Sequence, residues 1–179
     1  MKLQGKKVLI FVANEYEDLK LHYPRLRLKE AGAQVTIAGE KAQETYKSKH
    51  EYPCKADVSF DQVNVSDFDA LVIPGGFAPD TLRKIPKVLE IVKKFNESKK
   101  LIAFICHAGW VPASAQVLKG IRCTSYGTMK DDIINAGGKW EDSPVVVDQH
   151  FISSRNPDDL PAFCPAIIEF LAVREPAHV

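Results

Sequence analysis

Four short apolar runs constrain this chain more than any other feature: KKVLIFVA from Lys6, QVTIAGE from Gln34, DFDALVIPGG from Asp67 and KKLIAFICH from Lys99. Their apolar cores are continuous rather than alternating with polar residues, the pattern of strands covered on both faces in a parallel sheet. The longest, Val8 to Ala13, is far too short to span a bilayer.

Helical patterns fill the gaps. EDLKLHYPRLRLKEAG carries Leu19, Tyr23, Leu26 and Leu28 at roughly helical spacing and stops at Gly32, with Pro24 predicting a kink or two short helices. Pro79 to Lys100 reads as a second helical region with Leu82, Leu89, Val92 and Phe95 facing inward. A third helix is expected from His107 to about Leu118, and TMKDDIINAGG gives a fourth, ended by Gly137 and Gly138. SPVVVDQHFISSR predicts a strand pair turning near Asp148 and Gln149, and NPDDLPAFCPAIIEFLAV a closing helix whose start Pro161 and Pro165 disturb. The stretch from Lys41 to Asp61 reads as a small antiparallel excursion at an edge. Strand–helix–strand repetition without a linker or repeat predicts one domain over residues 1–179, a doubly wound α/β sandwich with a mostly parallel sheet between helices.

A net charge of +1 with lysines and arginines scattered among acids leaves no nucleic-acid patch and no membrane-surface footprint. The opening MKLQGKK is not followed by a signal-type apolar region, so a cytoplasmic location is expected. Cys54, Cys106, Cys123 and Cys164 form no C-x-x-C pair and no zinc spacing, so neither disulfides, a metal nor a cofactor is expected.

In an open parallel sheet, ligands bind beyond the carboxyl ends of the strands. Three strands end in chemistry-bearing residues there: Glu15, Glu17 and Asp18 after the first, Gly75 and Gly76 after the third, and Cys106 after the fourth. Cys106 stands where a strand turns into a helix, the placement that lifts a nucleophile over a sheet edge, and a helix start favours the thiolate. Cys164 falls in an apolar helical pattern and reads as core. Gly75 and Gly76 are either a tight turn or a close backbone approach that stabilises an oxyanion. Glu17 either complements a helix dipole or faces the Cys106 sulfur and shares a proton with it. His107 adjoins Cys106, but neighbouring side chains point apart by default. His22, His50, His150 and His178 read as surface or unassigned residues.

The segments ANEYED, PGGFAPDTLR, ICHAGW, TSYGTMKDDIINAG and VVVDQHFISSRNPDDL, in this order, resemble the ThiJ/PfpI superfamily, most closely its intracellular-protease (PfpI) branch. The resemblance implies a flavodoxin-like fold related to class I glutamine amidotransferase domains. It implies Cys106 as nucleophile and oxidisable cysteine, Glu17 as the acid on its sulfur, and Gly75, Gly76 and the His107 amide around the oxyanion. It also implies a triad of Cys106, His107 and Asp80, the acid reaching a neighbouring subunit's histidine, with Tyr126 near the pocket. Dimers that assemble into hexamers follow from the same resemblance. Two departures stand out: Ala108-Gly109-Trp110 replaces the branch's Gly-Pro after the histidine, and Asp80 replaces a glutamate, one methylene shorter.

Three functions compete on these residues. The first is a cofactor-free cysteine hydrolase or lyase acting on small carbonyl compounds or glycated protein and nucleotide adducts, with peptides as the alternative substrate. The second is a redox sensor or chaperone working through Cys106 oxidation. The third is an amidotransferase subunit, for which His150 is the only downstream histidine available in the region.

Overall fold

The computed structural model describes residues 1–174, and a seven-stranded sheet runs through their centre. Its first strands are β1 (Lys7–Phe11) and β2 (Gln34–Gly39); β3 (Thr45–Lys47) and β4 (Pro53–Lys55) form a separate antiparallel pair; β5 (Val58–Ser59) returns to the sheet edge. There follow β6 (Ala70–Ile73), β7 (Leu101–Ile105), the short parallel pair β8 (Arg122–Cys123) and β9 (Lys139–Trp140), and β10 (Val146–Asp148) with β11 (Phe151–Ser154). The order across the main sheet is β10-β11-β7-β6-β1-β2-β5, parallel except for the β10–β11 hairpin at the edge.

The four apolar runs are the four adjacent strands β7, β6, β1 and β2. Every residue of β6 and β7 is buried, because helices cover both faces and leave no solvated side to alternate toward. On one side α1 (Asp18–Glu30) packs against α6 (Leu160–Ala172). A second group is built from α2 (Ala78–Leu82), α3 (Pro86–Glu97), α4 (Trp110–Ser114) and α5 (Lys130–Asn135), with α3 lying on β6 and β7. This doubly wound arrangement is the flavodoxin-like architecture.

Several local expectations need correction. The inward face of α1 is Lys20, Leu21, Pro24 and Leu28, whereas Leu19, Tyr23 and Leu26 are exposed. Both stripes carry apolar residues, so periodicity could not tell them apart; packing on α6 and β2 selected the one containing Pro24. Nor does Pro24 divide the helix, which is one element of 13 residues. The Pro79–Lys100 region is two helices, α2 and α3, parted just before Pro86, since a residue preceding proline avoids helical backbone. Leu89 is only half-buried, and Val88 and Ile91 fill the core instead. The helix expected from His107 to Leu118 is a 3-10 turn, Cys106–Gly109, followed by the five-residue α4. Gln116 adopts a left-handed φ of 60° and stops it.

His150 is a buried residue, not a surface one. It is 4% exposed, pairs with Asn96 Oδ1 at 2.8 Å, and its carbonyl accepts from Ile102 N at the amino end of β7. It therefore lies at the opposite end of that strand from Cys106, which removes it as a base for that thiol. His178 lies outside the described residues.

Burial first, then the Lys99 and Arg174 charges, push the His150 imidazole down to about 4. The unfolded chain takes up this proton near pH 6.5 and the folded chain only near 4, so stability falls as pH drops through that window. Urea unfolding at pH 7 and pH 4.5 should show His150→Gln losing about 2–3 kcal/mol less than the wild type over this interval. Equal losses in the two proteins would contradict the assignment.

Candidate active site

Register brings the strand ends together. Ile73 of β6 pairs with Phe104 of β7, so two residues further on Gly75 meets Cys106. Ile105 is still extended, with φ −133° and ψ 140°; Cys106 then switches to φ 64° and opens the 3-10 turn. A left-handed non-glycine residue is strained, and such strain clusters where function requires it. Its effect here is geometric. The reversal brings the Cys106 Sγ to 3.2 Å from His107 Nδ1, so the default separation of neighbouring side chains does not hold at this junction.

Cys106 is 3% exposed and lines a cavity of about 250 Å3. The other walls are Glu17, Lys20, Lys49, Gly76, Phe77, His107 and Tyr126. Burial opposes ionisation of the thiol, yet the His107 hydrogen bond and the Lys20 charge and hydrogen bond outweigh it and hold Cys106 below the ordinary thiol range. The remaining cysteines are buried, and burial dominates: Cys54 is pushed up to about 11, Cys123 and Cys164 to about 12. Cys106 is thus the one of the four cysteines whose thiol is held below its ordinary range.

Gly75 and Gly76 do more than turn the chain. Gly76, at φ 91°, forms a bridge with Tyr16 whose bonds are donated by Glu17 N to Gly75 O and by Phe77 N to Glu15 O. The Gly76 N–H is not one of those donors, and Gly76 lines the cavity. This backbone can approach a reacting oxygen, as an oxyanion hole requires.

Glu17 also lines the cavity, but its carboxylate caps α1, accepting the Lys20 N–H at 2.9 Å. No hydrogen bond joins it to the Cys106 sulfur among the described residues. Of the neighbouring acids, Asp18 is taken up by Ser48 and His50, and Glu15 is exposed on a backbone with φ 65°. Asp80 sits exposed on α2, and no hydrogen bond or ion pair connects it to His107 within this chain.

Aromatic groups hold the His107 ring. Tyr126 lies against it at 5.0 Å between ring centroids, tilted 30°, and Trp110 lies at 5.1 Å. Trp110 is not a cavity wall. Its indole N–H donates to Asp132 at 3.2 Å and Arg83 sits over its ring, so it backs the histidine rather than filling the pocket.

Lys20 was missed by sequence reasoning. A lysine inside a helix reads as solvated, yet Lys20 is 5% exposed. The available signal was its spacing: three residues after the cap Glu17, it shares that residue's face at the helix start.

Among known proteins, the DJ-1/PfpI family model matches residues 6–170. The chain is 48% identical over 166 residues to the deglycase PfpI of Pyrococcus furiosus, covering 92% of this chain and 99% of that protein. It is 36% identical over 161 residues to protein/nucleic acid deglycase 2 of Escherichia coli, covering 89% of this chain and 94% of the other. The crystal structure of Drosophila melanogaster DJ-1beta superposes with a TM-score of 0.89 at 32% identity, over 97% of this chain and 94% of that one. A cysteine on a strand–helix elbow, the sheet order that places it, and matches over nearly the whole chain agree: this chain belongs to the DJ-1/PfpI family.

Proposed function

We propose that this protein is a cysteine-dependent enzyme, needing no cofactor, that acts on small carbonyl compounds or on the adducts they form with proteins and nucleotides. The observation that carries this reading is Cys106, held at a positive φ in a cavity of about 250 Å3 with its sulfur 3.2 Å from His107 Nδ1. A cavity of that size suits a two- or three-carbon carbonyl group, or the tip of a modified side chain, better than a folded peptide segment. The relatives named as deglycases support the same substrate class.

In this scheme the Cys106 thiolate attacks the carbonyl carbon, and the carbon–oxygen π electrons move to oxygen beside the Gly76 amide. His107, in hydrogen-bond reach of the sulfur, moves protons. With methylglyoxal the hemithioacetal rearranges by proton transfer from one carbon to the next into a lactate thioester. Water then releases lactate and restores the thiolate. A peptidase would need an acid on His107, and Asp80 could supply one only from a second copy of the chain.

The test is lactate formation from methylglyoxal, run beside release of methylglyoxal adducts from N-acetyl-lysine and N-acetyl-cysteine. Turnover of at least one by the wild type, lost in Cys106→Ala, is the expected result. A wild-type protein inert on all three would overturn the reading.

A further inference from the structure

Lysine is almost never buried without a partner, and Lys20 is 5% exposed. Its stem crosses Gly75 on the way into the cavity. A Cβ placed on Gly75 would come within 2.9 Å of Lys20 Cδ and, equally, within 2.9 Å of Cys106 Cβ. The missing side chain is therefore the space in which the lysine and the cysteine lie side by side. Lys20 and Cys106 line the same cavity, so the charged end of the lysine shares that space with the sulfur.

The other charged and titratable groups facing the sulfur fit this pairing. Glu17 stands between helix and cavity with its carboxylate engaged by Lys20's own backbone N–H. His107 Nδ1 lies 3.2 Å from the sulfur, and Lys49 and Tyr126 also line the cavity. Among the described residues no carboxylate hydrogen-bonds to the sulfur. The Glu17 side chain caps the helix instead of meeting the thiol as expected, while the Lys20 cation lines the same cavity.

We propose that Lys20 is a further catalytic residue, whose ammonium group is the resident counter-ion of the Cys106 thiolate. This deepens the cysteine-enzyme reading, on which its catalytic importance rests: the lysine supplies the attacking form of the nucleophile before substrate arrives. A counter-ion in direct contact favours the charged form through Coulomb attraction strengthened by the dry surroundings. His107 is then left to move protons at the reacting carbon.

The experiment is the pH dependence of iodoacetamide alkylation, followed by intact mass as a single adduct, with Cys106→Ser as the blank. The other three cysteines are buried with raised thiol values, so the single adduct reports Cys106. In Lys20→Met and in Lys20→Gln, the latter keeping a polar end should the former not fold, the midpoint should rise by about 1–3 pH units. Leu21→Ala, a core truncation on the same helix that leaves the lysine in place, should keep the wild-type midpoint. An unchanged midpoint in a folded Lys20 variant would overturn the proposal, as would an equal rise in Leu21→Ala. Alkylation needs no substrate, so absence of carbonyl turnover in the wild type would refute the enzyme reading without touching this result.

Discussion

Cys106→Ser is expected to lower turnover of any carbonyl substrate by about 10³-fold or more while the protein remains folded. The size follows from the division of labour in the cavity. Two groups, His107 and Lys20, converge on the sulfur, and both act by favouring its anion. A serine hydroxyl in that place is far harder to ionise, so neither partner has an anion to hold. Stability should change little, because the side chains differ by one atom and the strained backbone at φ 64° is common to both. Steady-state rates beside urea unfolding would check the two halves together. A folded Cys106→Ser protein with wild-type turnover would remove Cys106 from the mechanism.

The second large effect is expected at Gly76. A Cβ built there would lie 2.5 Å from Glu17 N, 2.7 Å from Glu15 O and 2.9 Å from Tyr16 C. All three are backbone atoms, so no side-chain rotation relieves the clash. The left-handed φ of 91° adds a penalty of about 1–2 kcal/mol for any L side chain. Gly76→Ala should therefore cost about 3 kcal/mol or more. The movement that accommodates it must push the start of α1, with Glu17 and Lys20, away from Cys106. Gly120→Ala is the control: it shares a positive φ, 76°, but its Cβ would meet nothing within 4 Å. It should show the backbone penalty alone and keep its activity. Comparable losses in both variants, read by urea unfolding, would mean that close packing at Gly76 contributes nothing.

Much of the scaffold was legible because burial on both faces leaves a simple trace. Continuous apolar runs such as VLIF and LIAFI belong to strands between two helical layers, and all four runs identified became adjacent strands. The hairpin through Gln149 was legible from its turn, whereas the stretch from Lys41 to Asp61, where β3 and β4 pair antiparallel, was the least readable part of the chain. Helix faces were harder. α1 carries apolar side chains on two stripes, and only contact with α6 and β2 determines which is buried. The break before Pro86 was written in the sequence, but the continuation through Pro24 depended on packing.

For the site, the order of strands and the residues at their ends were enough to name Cys106, Gly75, Gly76 and Glu17 as neighbours. That follows from topology, since parallel strands place their carboxyl ends along one edge. The partners of the sulfur were a different matter. They depend on a single backbone reversal at Cys106 and on where one helix start rests against one loop. The reversal brings His107 onto the sulfur despite its adjacency, and the packing of α1 over Gly75 delivers Lys20 in place of the Glu17 carboxyl. Local sequence thus determined which elements form and what they carry to the sheet edge, because hydrophobic periodicity is a property of neighbours along the chain. Only the tertiary structure decided which charge meets the thiolate, because that choice rests on a few ångströms between segments more than 80 residues apart.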